Sequence, residues 1–283
     1  MEDGRYHFIG SVNELQWFFD HIIAKPTQNE SYLMCIGARN KNLTEEERLR
    51  YVLSSAEMLR EQVVDAKRGW CFAKFKEAVL RYEVPHEGLL TASYLPYPPK
   101  SLVVYFYANP SDEVACSGDT LNYTMKLYTE ALMAAVNGNF GQDFIDKIRA
   151  STHHQKSCHA TNTSRRIWTH FDFDLADPLE MKRGVEAIRK AANELMGRGS
   201  AVIISSANGL HVLVRKDALS KLGAVIKNDP IKHFIQTAVA ADDVFSKDDP
   251  PKKMQQDFVP LPGTMQYDSH LVTVANKEDF IDD

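Results

Sequence analysis

Between residues 166 and 175 the side chains alternate. Ile167, Thr169, Phe171, Phe173 and Leu175 point one way and Trp168, His170, Asp172 and Asp174 the other. A period of two marks a β-strand with one face in a core. The period then changes. Asp177-Pro178 supplies an N-cap and a first-turn proline, Met181, Val185, Ile188, Ala192 and Leu195 recur at helical spacing, and Gly197 ends the run. Residues 200–206 and 210–215 form two short apolar runs on either side of Ala207-Asn208-Gly209, and an Asn-Gly step there predicts a β-hairpin. Helical spacing at 217–226 and 230–240, then apolar pieces at 258–261 and 271–275, complete the order strand, helix, strand, strand, helix, strand. That order belongs to the split βαβ of ferredoxin-like and RNA-recognition-motif (RRM) folds, with helices on one sheet face and the other face open.

The first half of the chain is less regular. Its pattern predicts a helix over 12–23, strands over 32–36 and 102–107, and helices over 120–136 and 142–150. Thr44 and Glu47 form a capping box ahead of Leu49, Val52, Leu53 and Leu59, which predicts a helix through that stretch. The proline-rich residues 94–100 end it, and the polar residues 151–165 carry no apolar period. The expected architecture is α/β (α+β): an N-terminal mixed α/β lobe over 1–150 packed on a C-terminal RRM-like, ferredoxin-like βαββαβ lobe over 151–283.

Composition narrows the class. With 283 residues, 44% of them hydrophobic and 25% charged, the chain can fill a core, and long disorder is disfavoured. No apolar run approaches the ~20 residues that cross a bilayer. The opening MEDGRYHF lacks a signal-peptide pattern. Cys35, Cys71, Cys116 and Cys158 form no CxxC pair, so a reducing, cytoplasmic setting is expected. A net charge of -5 does not advertise a polyanion ligand, so any nucleic-acid face must be local.

Asp172 and Asp174 share a strand face, about 6–7 Å apart by strand rise, so both reach one site. An Asp-x-Asp tripeptide is commonly a solvated turn. On a strand of large apolar residues the two acids instead repel each other unless cations or bases neutralise them. Two hard cations ~3.5–4 Å apart on such a pair would orient a nucleoside triphosphate. His211 lies in the second hairpin strand, with Leu213 and Arg215 opposite Leu210, Val212 and Val214, and is expected away from the core where an imidazole can meet phosphate. The turn Ser205-Ser206-Ala207-Asn208-Gly209 offers hydroxyls and backbone N–H groups to an anion.

Three segments, HFDFDL (170–175), SSANGLHVLV (205–214) and LPGTMQYDS (261–269), resemble in order and separation the successive motifs of archaeo-eukaryotic primases, the primase-polymerase superfamily. The resemblance implies that Asp172 and Asp174 are metal ligands and that Ser205, or Ser206, and His211 hold the nucleotide, with Asn208 and Gly209 in the same turn. The family's third metal acid precedes an Arg-Leu-Pro-Gly-Ser/Thr stretch. Counting back from Pro262-Gly263 reaches Asp248, with Asp249, Asp242 and Asp243 as alternatives. The chain departs from the pattern in two places: Ser-Ala-Asn stands where relatives often carry glycine or a basic residue, and Val259-Pro260-Leu261 stands where the arginine belongs. Arg165, Arg166 and Lys156 precede the acidic strand, either as partners for phosphate or template or as solvated residues. His153, His154, Cys158 and His159 lie close together, and some primases carry zinc near the core, but their spacing matches no zinc pattern.

The implied activity is that of a template-directed nucleotidyltransferase, a DNA primase or DNA polymerase. It would act on single-stranded DNA with NTPs or dNTPs and two Mg²⁺ or Mn²⁺ ions, the N-terminal lobe gripping template and a separate helicase or accessory protein assisting. Tyr32, Tyr105, Phe106, Tyr107 and Trp70 are candidates for base stacking or for the core. A non-catalytic RRM-like nucleic-acid-binding module would carry aromatics where Asp172 and Asp174 stand. A replication-initiator nuclease would need a His-x-His pair and a nearby tyrosine, which these strands lack.

Overall fold

The computed structural model describes residues 4–40, 43–51, 56–65, 69–91, 94–136, 158–159, 161–207, 209–226, 229–267 and 269–280. The chain is mixed α/β with antiparallel sheets. Helix α1 (Val12–His21) starts on Ser11, whose hydroxyl accepts from the Glu14 amide, and buries Leu15, Phe18 and Phe19. Strand β1 (Glu30–Arg39) follows and is buried along nearly its whole length. It pairs with β2 (Ala56–Asp65) on one side and β3 (Leu102–Tyr107) on the other, with the short β4 (Ser111–Asp112) beside its start. The capping box forms, the Thr44 amide donating to Glu47 Oε2 at 2.8 Å, but the helix it opens, α2, spans only Glu45–Tyr51. Residues 56–65, rich in helix formers, are strand because pairing along β1 outweighs their local preference. Helices α3 (Phe72–Leu80) and α4 (Glu113–Val136) complete this half, α4 beginning seven residues before its expected start. The expected helix over 142–150 and the polar stretch over 151–157 lie outside the described residues.

The second sheet carries the acidic strand. Strand β5 (Trp168–Asp174), helix α5 (Met181–Met196), and the hairpin β6 (Ala201–Ser205) and β7 (Gly209–Arg215) form as expected, and α5 ends on Gly197 at φ 88°. Helices α6 (Lys216–Ile226) and α7 (Pro230–Ala241) follow. The next strand of this sheet is not 258–261 but the two-lysine β8 (Lys252–Lys253), which carries no apolar signature and pairs with β5. Strand β9 (Phe258–Pro260) crosses instead to the first sheet and pairs with β3. After the small hairpin β10 (Met265–Gln266) and β11 (His270–Leu271), β12 (Thr273–Val274) returns to the second sheet, giving the order β12-β6-β7-β5-β8.

Both faces of this sheet are covered. Phe171, Phe173, Ile203, Leu210 and Val212 pack with Ile188 and Phe234 of the helices. On the opposite face Trp168, Val202, Ile204 and Leu213 join Leu15, Phe18, Tyr32 and Phe106 in a core shared with the first sheet. The face expected to be open is therefore closed over much of its area, and Leu213, expected on the exposed side, is fully buried. Asn109, also fully buried, ties the two sheets: its Oδ1 accepts from the Ile167 and Trp168 amides at 2.7 and 2.8 Å, and its Nδ2 donates to Asp257 Oδ2 at 2.7 Å. The Pro262-Gly263 turn packs against the start of α1. Gly263 has φ +86°, its carbonyl accepts from the Gly10 and Ser11 amides, and a Cβ there would lie 2.5 Å from the Leu15 nitrogen.

Candidate active site

A cavity of about 360 Å³ remains where the two sheets separate. One wall is the β5–β7 face, with His170, Asp172 and His211; the other is β1 and β3, with Gly37, Arg39 and Tyr105. Asp172 and His211 are direct register partners, and the His211 Nδ1 stands 3.4 Å from Asp172 Oδ1. Two residues on, Asp174 projects from the same strand face opposite Gly209. A Cβ at position 209 would come 2.9 Å from the Phe173 carbonyl oxygen and 3.1 Å from Asp174 Oδ1, so glycine leaves the space beside that carboxylate.

His170 backs the site. It is 1% exposed, with Nε2 3.1 Å from His211 Nδ1 and Nδ1 3.4 Å from the Gln256 carbonyl. A carbonyl only accepts, so the proton of neutral His170 belongs on Nδ1. Its bare Nε2 then accepts from His211 Nδ1–H, an assignment made from hydrogen-bond partners. Burial, and next the neighbouring His211, push the His170 pKa down to about 3, which keeps the ring neutral. Asp257 is buried beneath it, its Oδ1 accepting from the His170 amide at 3.3 Å, and burial raises the pKa of that carboxyl.

Two cations missed in the sequence adjoin the acids. Lys252 is the register partner of Asp172 on β8, and the carboxylate of Asp249, with Asp172 and Asp174 beyond it, holds its ammonium above the ordinary value. Arg39 comes from the end of β1, its guanidinium 5.6 Å from the Tyr105 ring centroid, a cation–π distance. Nothing local marks either residue: Arg39 and Asp172 line one cavity only because two sheets distant in sequence pack together.

The remaining expected residues divide. Ser205 pairs with Leu210 in register, which turns it toward the helix side of the sheet, away from Asp172 and His211. Ser206 donates its hydroxyl to the Gly209 carbonyl at 2.9 Å, and the Ala207 amide donates to Gln266 Oε1, so much of the turn's capacity is spent internally. Asn208 lies outside the described residues, as do His153, His154 and Lys156. Arg165 binds Glu30 at 3.0 Å and Arg166 lies 3.7 Å from Asp257, both outside the cavity lining. Asp248 is exposed in the loop before β8, Asp249 pairs with Lys252, and Asp242 and Asp243 pair with Arg183. Of the aromatics, Tyr32, Phe106 and Tyr107 are buried, and Tyr105 lines the cavity.

Comparison with protein-family models, with curated proteins and with solved structures finds no match. The chemistry of the site therefore rests on its own side chains. Paired carboxylates are the hard oxygen donors that Mg²⁺ and Mn²⁺ take, and the field at Asp172 and Asp174 already attracts the Lys252 ammonium. Among the described residues no group of three or more His, Cys, Asp or Glu is gathered for a metal. Asp172 and Asp174, on one strand face, are oxygen donors of the kind that divalent cations take.

Proposed function

We propose that this cleft binds a nucleoside triphosphate and that the chain is a template-directed nucleotidyltransferase of the primase-polymerase kind. The observation that carries the reading is the convergence of Asp172, His211 and Arg39 on one cavity, with Asp174 on the same strand face. The strand order around β5, with β7 between β5 and β6, supports an RRM-like βαββαβ unit beneath it. Joining nucleotides forms a bond from a 3′-oxygen to the α-phosphorus as the bond to pyrophosphate breaks, and the hydroxyl proton leaves to solvent. Divalent ions on Asp172 and Asp174, when bound, would neutralise phosphate charge and lower the pKa of that hydroxyl. Arg39 supplies a cation and a planar donor fork for phosphate oxygens, and His211, oriented through Nδ1 by His170 and Asp172, donates to a phosphate oxygen from Nε2 when that nitrogen is also protonated. Tyr105, held neutral by burial, gives a ring edge for base or sugar.

The test is incorporation of labelled NTPs and dNTPs on a single-stranded template with Mn²⁺ or Mg²⁺. Wild type yields extended products, and Asp172→Asn/Asp174→Asn loses at least about 100-fold in rate. Equal product from both proteins refutes the reading.

A further inference from the structure

At the other end of the same sheet lie two adjoining cavities of about 390 and 410 Å³. They share Gly199, Arg215 and Asp217. The described residues lining them include Arg166, Arg198, Arg215, Lys216, Lys221 and one carboxylate, Asp217; with Asp257 3.7 Å from Arg166 and Asp279 3.7 Å from Arg198, five cations meet three carboxylates in a chain of net charge -5. The local excess of positive charge is thus opposite in sign to the whole molecule. Asp217 is already engaged, accepting from Arg215 Nε at 3.1 Å and from its terminal nitrogen at 3.2 Å. The arginine heads remain solvent-accessible, 39%, 50% and 53% exposed for Arg166, Arg198 and Arg215.

The topology keeps this surface away from the acids. Trp168 and Arg215 are register partners at one end of the β5–β7 pair, and Asp174 and Gly209 at the other. Six strand steps separate the ends, about 20 Å. The cations come from the β5 approach, the loop before β6, the end of β7 and the first turns of α6, so they spread along an edge instead of converging on one point. Beside them lie apolar side chains: Leu222 and Val225 in one cavity, Phe280 in the other. Spread, hydrated cations beside an apolar floor suit a ligand that repeats its phosphates and carries flat apolar groups between them. A compact anion would call for converging donors.

We infer that the groove formed by Arg166, Arg198, Arg215, Lys216 and Lys221 is a track for single-stranded nucleic acid, separate from the Asp172 cleft. It requires no catalysis in that cleft. The test is fluorescence anisotropy of a labelled oligothymidine with the full chain across a salt series. Arg215→Gln/Lys216→Gln/Lys221→Gln weakens binding about tenfold or more and makes the slope of log K against log salt shallower by about 2, from ~0.7 per phosphate contact on a single strand. Lys216→Gln/Lys221→Gln, which leaves the Arg215–Asp217 pair in place, gives a smaller shift in the same direction with unchanged melting. Asp172→Asn/Asp174→Asn binds at least as tightly as wild type, because it removes negative charge. Wild-type affinity and slope in the triple variant overturn the inference, as does loss of binding in the aspartate variant instead. Displacement of the oligonucleotide by polyglutamate as readily as by unlabelled oligothymidine overturns the nucleic-acid assignment. Oligonucleotide binding through these cations in a protein that incorporates no nucleotide keeps this track and refutes the polymerase reading alone.

Discussion

His170 holds a neutral imidazole between a carbonyl and a second imidazole, while its backbone amide donates to the buried carboxylate of Asp257. Its proton affinity is a stability term. Its pKa is pushed down to about 3, below the ordinary 6.5, so between those values the unfolded chain takes up a proton that the folded chain refuses. Its contribution to stability is complete above pH ~6.5 and falls as the pH drops toward 3, by at most about 1.4 kcal/mol per pH unit. Asp257, raised by burial, works in the opposite sense over the lower part of that range. The urea midpoint is therefore expected to fall on acidification below pH ~6.5, and His170→Gln to flatten that fall. An identical pH profile in the variant would contradict the neutral, buried assignment. The aspartates were legible at this scale because strict alternation fixes which face each takes. Arg39 and Lys252 were not, since their roles exist only through pairing and packing. Ser205 shows the limit of motif transfer: its place in the motif fits, yet its register partner Leu210 turns it to the helix face.

Hairpin β6–β7 is the element on which the site depends, because it presents His211 to Asp172 and Gly209 to Asp174. Gly209→Ala places a methyl against the Phe173 carbonyl, and the strands must part to accept it. The expected cost is about 1–3 kcal/mol of stability, with weaker Mn²⁺ binding measured on the folded variant. Gly118→Ala, at an α4 position where a Cβ meets nothing within 4 Å, is the control and is expected to stabilise by about 0.5–1 kcal/mol. Melting curves and Mn²⁺ titrations distinguish the two, and unaltered Mn²⁺ affinity in Gly209→Ala would show that Asp174 does not need that space. Elements with a strong period, β5, α5 and the hairpin, were readable from sequence. Strand β2 was not, being written in helix-favouring residues, nor was β8, two lysines long and held by its neighbour β5.

Across the molecule, two antiparallel sheets face one another over a common core, and the cleft lined by Asp172, His211 and Arg39 is the gap their packing leaves. The mixed α/β class was visible in the chain. The crossing of β9 into the first sheet was not, because an apolar triplet suits either sheet and only the tertiary arrangement selects one. The same crossing accounts for the Pro262-Gly263 turn, whose glycine admits the start of α1. Asn109 and Asp257 fasten the sheets next to the site, so the distance between Arg39 and the aspartates is set by the whole fold. The central claim is that Asp172 and Asp174 hold divalent cations for a triphosphate. Electron paramagnetic resonance titration of Mn²⁺ into the full chain, with a non-hydrolysable nucleoside triphosphate present, tests it most directly. The account predicts saturable, nucleotide-dependent Mn²⁺ binding by wild type that is lost in Asp172→Asn/Asp174→Asn at unchanged melting temperature, whereas equal Mn²⁺ binding by the two proteins would contradict it.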